Sequence, residues 1–406
     1  MNEFKEGWGT LVAAVIGTLC GLITITNYTQ GFFVGPVTQE FGWTPPQFFL
    51  GFTVMMCAGL ITAPLVGSLA EKIGLKKIGM LGLIGHAVGY FLISMNNGNF
   101  VLWLLSWAML SLLASASLPI IWTAALNGYF KLHRGKAIGI TMAGTGIGAF
   151  ILPPLVESII SDFGWRAAYQ AIGIGALAIS LPIVFFLFKQ KEGEEIDKGN
   201  SVAAGWGITR VEALRTTKFW ILSAVLFCTV IVVVGLLSNF ERIMGAEGLD
   251  RHTIAGIASI MGITVIVGRL AVGVLVDRFW APGVACVFFA LPAIGMYLLL
   301  GGDVSYTTAV IVAIFIGLAA GAELDMMAYL TGRYFGPRHY AAIFGGIYAA
   351  FTVGAGIAPV IFGGFAQSSG SYDSILTISI GLCVLSMVLF LLMGKYPEQA
   401  QAEVAK

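Results

Sequence analysis

Apolar residues run along this chain in long unbroken stretches rather than in alternation. No Asp, Glu, Lys or Arg stands between Lys77 and Lys131, and a further charge-free stretch separates Arg338 from Asp373. A helix needs roughly 20 apolar residues to cross about 30 Å of hydrocarbon. The first stretch therefore holds two crossings, divided at Asn96-Asn97-Gly98-Asn99. Cutting the chain at charges and turn-forming residues predicts helices at 8–33, 47–70, 78–95, 100–127, 137–157, 166–188, 219–240, 254–276, 283–301, 307–332, 341–366 and 373–394. That makes twelve. The period-two alternation of a membrane barrel is absent, and helices satisfy their own backbone in lipid. The fold class expected is an all-α membrane protein of twelve transmembrane helices.

One long polar segment interrupts the pattern after the sixth span. It predicts an N-terminal six-helix half at 1–188, a cytoplasmic linker at 189–218 and a C-terminal six-helix half at 219–406. A short amphipathic helix is expected around Val211–Lys218. With the N-terminus in the cytoplasm, the basic residues gather in the inner loops, the linker and the tails. Only Arg166, Arg242 and Arg251 fall outside, and Arg269 lies within a span. That bias predicts a multi-pass protein of the cell (inner) membrane with both termini cytoplasmic. The first apolar run, Gly7 to Gln39, is too long for the core of a cleaved signal and is expected to be a retained span.

Composition then narrows the function. Hydrophobic residues make up 58% and charged residues 11%, with a mean hydropathy of +0.90. Soluble domains carry about 25% charged residues, so a water-soluble enzyme and a disordered chain are both excluded. The formal net charge of +1 implies no nucleic-acid partner. The five cysteines are scattered singly, without a CxxC pair, so neither a disulfide framework nor a metal site is expected. No phosphate-cradling loop or nucleophile–base pair appears, so no cofactor, no ATP hydrolysis and no enzymatic activity are expected.

The two halves repeat each other. Gly67-Ser-Leu-Ala-Glu71-Lys72 after the second span returns as Gly273-Val-Leu-Val-Asp277-Arg278 after the eighth, and Gly148 and Pro153 return as Gly354 and Pro359. Tyr129-Phe130 with Arg134 returns as Tyr334-Phe335 with Arg338. Paired six-helix repeats are a transporter architecture. In the first pair, glycine lets a helix end approach its neighbour, and the acid can sit near a helix N-terminal dipole. This assigns a cytoplasmic gate to Gly67, Glu71, Lys72, Gly273, Asp277 and Arg278. The alternative is that they are turn residues obeying the charge rule.

Gly67–Lys77, G-x-x-x-E-K-x-G-x-K-K, resembles the cytoplasmic loop motif of the major facilitator superfamily, with Glu for the usual Asp. The stretch Tyr129-Phe130-Lys131-Leu-His133-Arg134-Gly-Lys136, continuing as Ala137-x-Gly139-x-x-Met142-Ala143-Gly144-x-x-x-Gly148, is similar to the fifth-span signature of the monocarboxylate transporter family. Glu6-Gly7-Trp8 resembles that family's first-span motif in shortened form, and the oxalate–formate exchangers share the general pattern. The resemblance implies two pseudo-symmetric six-helix bundles. It also implies a substrate-binding arginine in the eighth span, in a context similar to Gly268-Arg269-Leu-Ala-Val-Gly273. Two departures bear on coupling. Val265 stands where well-studied members carry an acid, and the first span reads Asn27-Tyr28-Thr29-Gln30 where they carry a lysine.

Ionisable groups within membrane helices are functional candidates by default. Here they are Arg269, Glu323, Asp325 and His86, the last with packing as its favoured role. Arg269 lies eight residues before Asp277 and Asp325 eight before Arg333, on spans running in the same direction. They should sit at matching depth, with Glu323 half a turn deeper. A guanidinium fork matches a carboxylate and stays charged. Arg269 is therefore expected to receive a substrate carboxylate, with Asp325 or Glu323 compensating its charge or carrying a proton. A fixed salt bridge is the alternative. Asn27, Tyr28 and Gln30 in the first span, with Thr123 and Asn127 in the fourth, are the remaining substrate-binding candidates, or else interhelical glue.

The function expected is a secondary active transporter moving a small organic monocarboxylate by alternating access, coupled to protons and working as a monomer in the lipid bilayer. The alternatives are an efflux carrier for amphipathic compounds and a dicarboxylate/monocarboxylate exchanger.

Overall fold

The computed structural model describes residues 2–126, 129–130, 133–189, 207–300, 304–336 and 339–397, and every regular element among them is a helix. In chain order these are α1 (Asn2–Leu19), α2 (Leu22–Phe41), α3 (Pro45–Ile73), α4 (Leu75–Ser94), α5 (Phe100–Ala114), a 3-10 turn (Ser115–Ser117), α6 (Pro119–Leu126) and α7 (Arg134–Leu187). They continue as α8 (Arg210–Arg215), α9 (Thr217–Ala246), α10 (Arg251–Arg278), α11 (Ala281–Leu299), α12 (Tyr306–Phe335), α13 (Tyr340–Ser369) and α14 (Asp373–Leu392). Eleven stretches are long and apolar enough to cross a membrane. One of them, Lys136–Leu187, has 52 residues, about 78 Å at about 1.5 Å per residue. It breaks at Gly164, where φ is 82°, and so holds two crossings. The described residues therefore contain twelve crossings, and the chain is an integral, multi-pass membrane protein.

Most helices run past their predicted ends. The Gly67–Lys72 motif, expected after the second span, lies inside α3, because nothing stops that helix before Gly74 at φ 90°. Gly273, Asp277 and Arg278 likewise lie in the last turns of α10. Lys72, Asp277 and Arg278 are exposed. The surroundings of Gly67 and the side chain of Glu71 lie outside what is described. The expected amphipathic segment forms α8, started by a capping box between Thr209 and Glu212.

Two spans expected to be continuous are interrupted. The first breaks at Cys20-Gly21 and the fourth at Ser115–Ser117, and the two breaks meet. Backbone polar groups freed in lipid need partners, and side chains supply them here. Ser117 Oγ accepts from Leu22 N at 3.1 Å, Trp122 Nε1 donates to Ser117 O at 3.0 Å, and Thr24 Oγ1 donates to Thr18 O at 2.6 Å. His86 Nδ1 lies 3.1 Å from Cys20 O, which gives this buried histidine a role at the break. Gly21 is required, since a Cβ there would stand 2.8 Å from Ser117 O.

The described residues form two compact units. The first is Met1–Ile196 with Leu237–Ile263, and the second is Asp197–Leu236 with Thr264–Lys406, so α9 and α10 each contribute to both. In the first unit α1, α4 and α7 pack around Trp122, Phe130 and Phe188. In the second, α11 packs on α14, with Phe289 and Phe390 stacked at 5.8 Å between centroids.

The internal repeat is written into the backbone as well as the sequence. The positive-φ glycines Gly42 and Gly248, and Gly164 and Gly370, stand 206 residues apart. So do the helix N-caps Thr44 and Asp250, whose side chains both engage the following turn. Asn99 and Ser305, accepting from Leu102 N and Thr308 N, repeat the spacing, as do His133 and His339.

Ser117→Ala leaves the Leu22 N–H buried without its acceptor, at a cost of about 1–3 kcal/mol. Thermal unfolding of the purified protein in detergent should show a lower midpoint for this variant. An unchanged midpoint would remove the break from the stabilising framework.

Candidate functional site

The chemistry of the second unit starts from a close helix crossing. A Cβ at Gly321 of α12 would meet Val265 O of α10, and one at Gly268 of α10 would meet Leu318 O of α12. Small residues of this kind let two backbones touch in a membrane protein. About two turns further along, Tyr329 Oη donates to Val276 O at 2.9 Å. The crossing brings Arg269 and Asp325 together, with Nε 3.4 Å from Oδ2. Arg269 is 9% exposed and Asp325 37%. The distance makes an ion pair, but the alignment is not that of a hydrogen bond. Arg269 Nε and Nη1 are buried without a hydrogen-bond partner. The result is a fixed cation with donors to spare beside a partly exposed acid.

Glu323 does not join this pair. Two residues along a helix turn a side chain by about 200°, so Glu323 leaves α12 on the face away from Asp325 and meets Thr229 of α9. It is 4% exposed, and its Oε1 has no hydrogen-bond partner.

The polar candidates of the first unit each meet different surroundings. Gln30 Nε2 donates to Ser238 Oγ at 2.9 Å, while its Oε1 is buried without a partner. Asn27 is half-buried, with Oδ1 unpartnered. Tyr28 lines a cavity of about 20 Å³, together with Phe32, Pro153 and Glu241, space for a single water. Thr123 Oγ1 donates to Pro119 O of its own helix at 2.9 Å. Asn127 lies outside the described residues. No group of three or more His, Cys, Asp or Glu that could hold a metal occurs among the described residues.

Comparison with known proteins fits this architecture. A family model described as the Major Facilitator Superfamily matches residues 15–345. The chain belongs to that superfamily. It is therefore a secondary transporter rather than an enzyme, and it is similar to monocarboxylate transporters. It is 26% identical to human monocarboxylate transporter 12, over 94% of this chain and 79% of that protein. It is 23% identical to the uncharacterized MFS-type transporter YhjX of Escherichia coli, over 87% of each. Among solved structures it resembles a bacterial homologue of the human lysosomal transporter Spinster in an inward-facing, unoccupied conformation. There the TM-score is 0.72 at 17% identity, covering 95% of this chain and 96% of that one.

In this major facilitator chain, sequence reasoning overlooked two further buried acids. Glu157 and Glu241 have side chains 8% and 12% exposed. Glu241 Oε1 lies 3.0 Å from Arg251 Nε, Arg251 Nη2 donates to Phe32 O at 2.6 Å, and His252 Nδ1 lies 3.3 Å from Glu157 Oε2. All belong to the first unit. They escaped notice because they stand near helix ends, where a charge looks like part of a loop. A cue was present in the cluster Glu241-Arg242 and Arg251-His252 flanking one short turn.

Removing the acid from the pair should strand the Arg269 charge. Asp325→Ala is expected to destabilise the protein by about 1–3 kcal/mol, below the roughly 3–5 kcal/mol of a fully buried pair because Asp325 is partly wetted. In a double-mutant cycle, Arg269→Gln with Asp325→Asn should cost less than the sum of the single changes. Additive costs would deny the coupling.

Proposed function

We propose that this transporter moves a small organic monocarboxylate by alternating access, coupled to protons, with Arg269 binding the carboxylate. The observation that carries the reading is the buried guanidinium, whose Nε and Nη1 have no hydrogen-bond partner beside the misaligned Asp325. A substrate carboxylate could accept from Nη1 on arrival, or displace Asp325 and accept from Nε. Asp325 is then the counter-ion of the empty state, keeping Arg269 compensated until substrate arrives. A single such cation suits a monoanion better than a dianion. The similarity to monocarboxylate transporter 12 points to the same substrate class.

In the first unit the reading assigns substrate contacts to Asn27, Tyr28, Gln30, Thr123 and Asn127. The buried unpartnered oxygens of Asn27 and Gln30 support this for two of them. The gate role of Gly67, Glu71, Lys72, Gly273, Asp277 and Arg278 rests on their recurrence at matching helix ends in the two repeats. The proposal places the protein in the cell's inner membrane as a monomer, with both termini on the cytoplasmic side, as the basic residues favour.

The test is uptake of labelled aliphatic and aromatic monocarboxylates into liposomes, with and without an inward proton gradient. Arg269→Gln should lower uptake roughly 10–100-fold, since a hydrogen bond to a charged group contributes about 1.5–3 kcal/mol. Acceptance of no monocarboxylate would overturn the substrate class. Uptake indifferent to the gradient would overturn the coupling.

A further inference from the structure

Two acids stand two residues apart on α12, and their surroundings are opposite in kind. Asp325 faces a guanidinium and is partly exposed. Glu323 is buried, and the Thr229 hydroxyl of α9 lies beside its carboxyl. A carboxylate can only accept hydrogen bonds, whereas a carboxylic acid can also donate one. Thr229 Oγ1 already donates its single proton to Leu226 O, at 3.2 Å. What the hydroxyl has left for Glu323 in that arrangement is lone pairs. Thr229 can serve Glu323 in two ways: it donates to the ionised carboxylate, or, while it donates to Leu226 O, it accepts from the protonated acid.

The second oxygen favours the protonated acid. Glu323 Oε1 is buried with no hydrogen-bond partner. A buried anion lacking both a cation and donors is very costly, while a neutral carbonyl oxygen left unpaired costs far less. Arg269 cannot compensate Glu323, because it is paired on the other face of α12 with Asp325.

We infer that Glu323 is a proton-binding site that is occupied in the resting protein, with Thr229 as the residue positioning its O–H. The two acids thereby divide the work. Asp325 is the counter-ion of Arg269 in the empty state, and Glu323 holds the exchangeable proton. When Glu323 loses that proton, the Thr229 hydroxyl turns from the Leu226 carbonyl to the new carboxylate, a rotation about one bond. The proton leaves as H⁺ to water, and no other bond is made or broken. The transport role rests on the proton-coupled reading above, whereas the protonation itself does not.

Infrared difference spectroscopy of the lipid-reconstituted protein near neutral pH tests the site without any substrate. The wild-type spectrum should contain a protonated-carboxyl C=O stretch that Glu323→Gln removes and Asp325→Asn leaves in place. Thr229→Val should shift its frequency, and this provides a second reading should Glu323→Gln fail to fold. Absence of any such band from the wild type, or its survival in Glu323→Gln, overturns the proposal. In liposomes, the stimulation of uptake by an inward proton gradient should vanish in Glu323→Gln. Full stimulation there, with the infrared band gone, overturns the transport role alone. A transporter accepting no monocarboxylate while keeping the band would defeat the substrate reading and leave the proton site standing.

Discussion

A guanidinium in a membrane helix has to be compensated, and the second unit is organised around that requirement. Arg269 cannot shed its charge, so something anionic must stay within reach whatever else the protein does. Gly268 and Gly321 hold α10 and α12 at backbone contact, and that contact puts Asp325 at 3.4 Å. Yet the pairing is incomplete, with two guanidinium nitrogens unpartnered. A cation held in place by one partial counter-ion is suited to exchanging that partner for a bound anion. A bidentate, fully bonded bridge would be better structure and a poorer binding site.

The duplicated scaffold makes this chemistry easier to isolate. Caps and left-handed glycines recur 206 residues apart, so the two halves share their turns and helix starts. The charged trio does not recur. At the same offset Arg269, Glu323 and Asp325 correspond to Ala63, Ser117 and Pro119. The position that holds a buried acid in the second half holds, in the first, the serine whose hydroxyl accepts from Leu22 N at the break in the first span. One framework thus supplies a helix interruption on one side and ionisable groups on the other, and function is located by the departures from symmetry.

Much of this was legible in the sequence because lipid imposes a simple code. Charge-free stretches mark spans, and the spacing of Arg269 from Asp277 and of Asp325 from Arg333 placed the two at equal depth. The side on which Glu323 emerges was also available, since two residues on a helix reverse the face. The identity of its neighbour was not, because Thr229 sits almost a hundred residues away on α9. The breaks at Cys20-Gly21 and Ser115–Ser117 were hidden for a different reason. Their freed backbone groups are satisfied by threonine, serine, tryptophan and histidine side chains drawn from four separate stretches, and local hydropathy carries no trace of that. Glu157 and Glu241 were concealed by their closeness to helix ends, where burial is decided by packing and not by composition.

The central claim is that Asp325 occupies a place on Arg269 that a substrate carboxylate can take. Equilibrium binding of a labelled monocarboxylate to the purified protein tests it directly, by comparing wild type, Asp325→Asn and Arg269→Gln, each first confirmed monodisperse. Competition between acid and ligand predicts that Asp325→Asn binds at least as tightly as wild type while Arg269→Gln loses binding. Equal loss in both variants would mean that the pair is a fixed structural bridge and that the anion binds elsewhere.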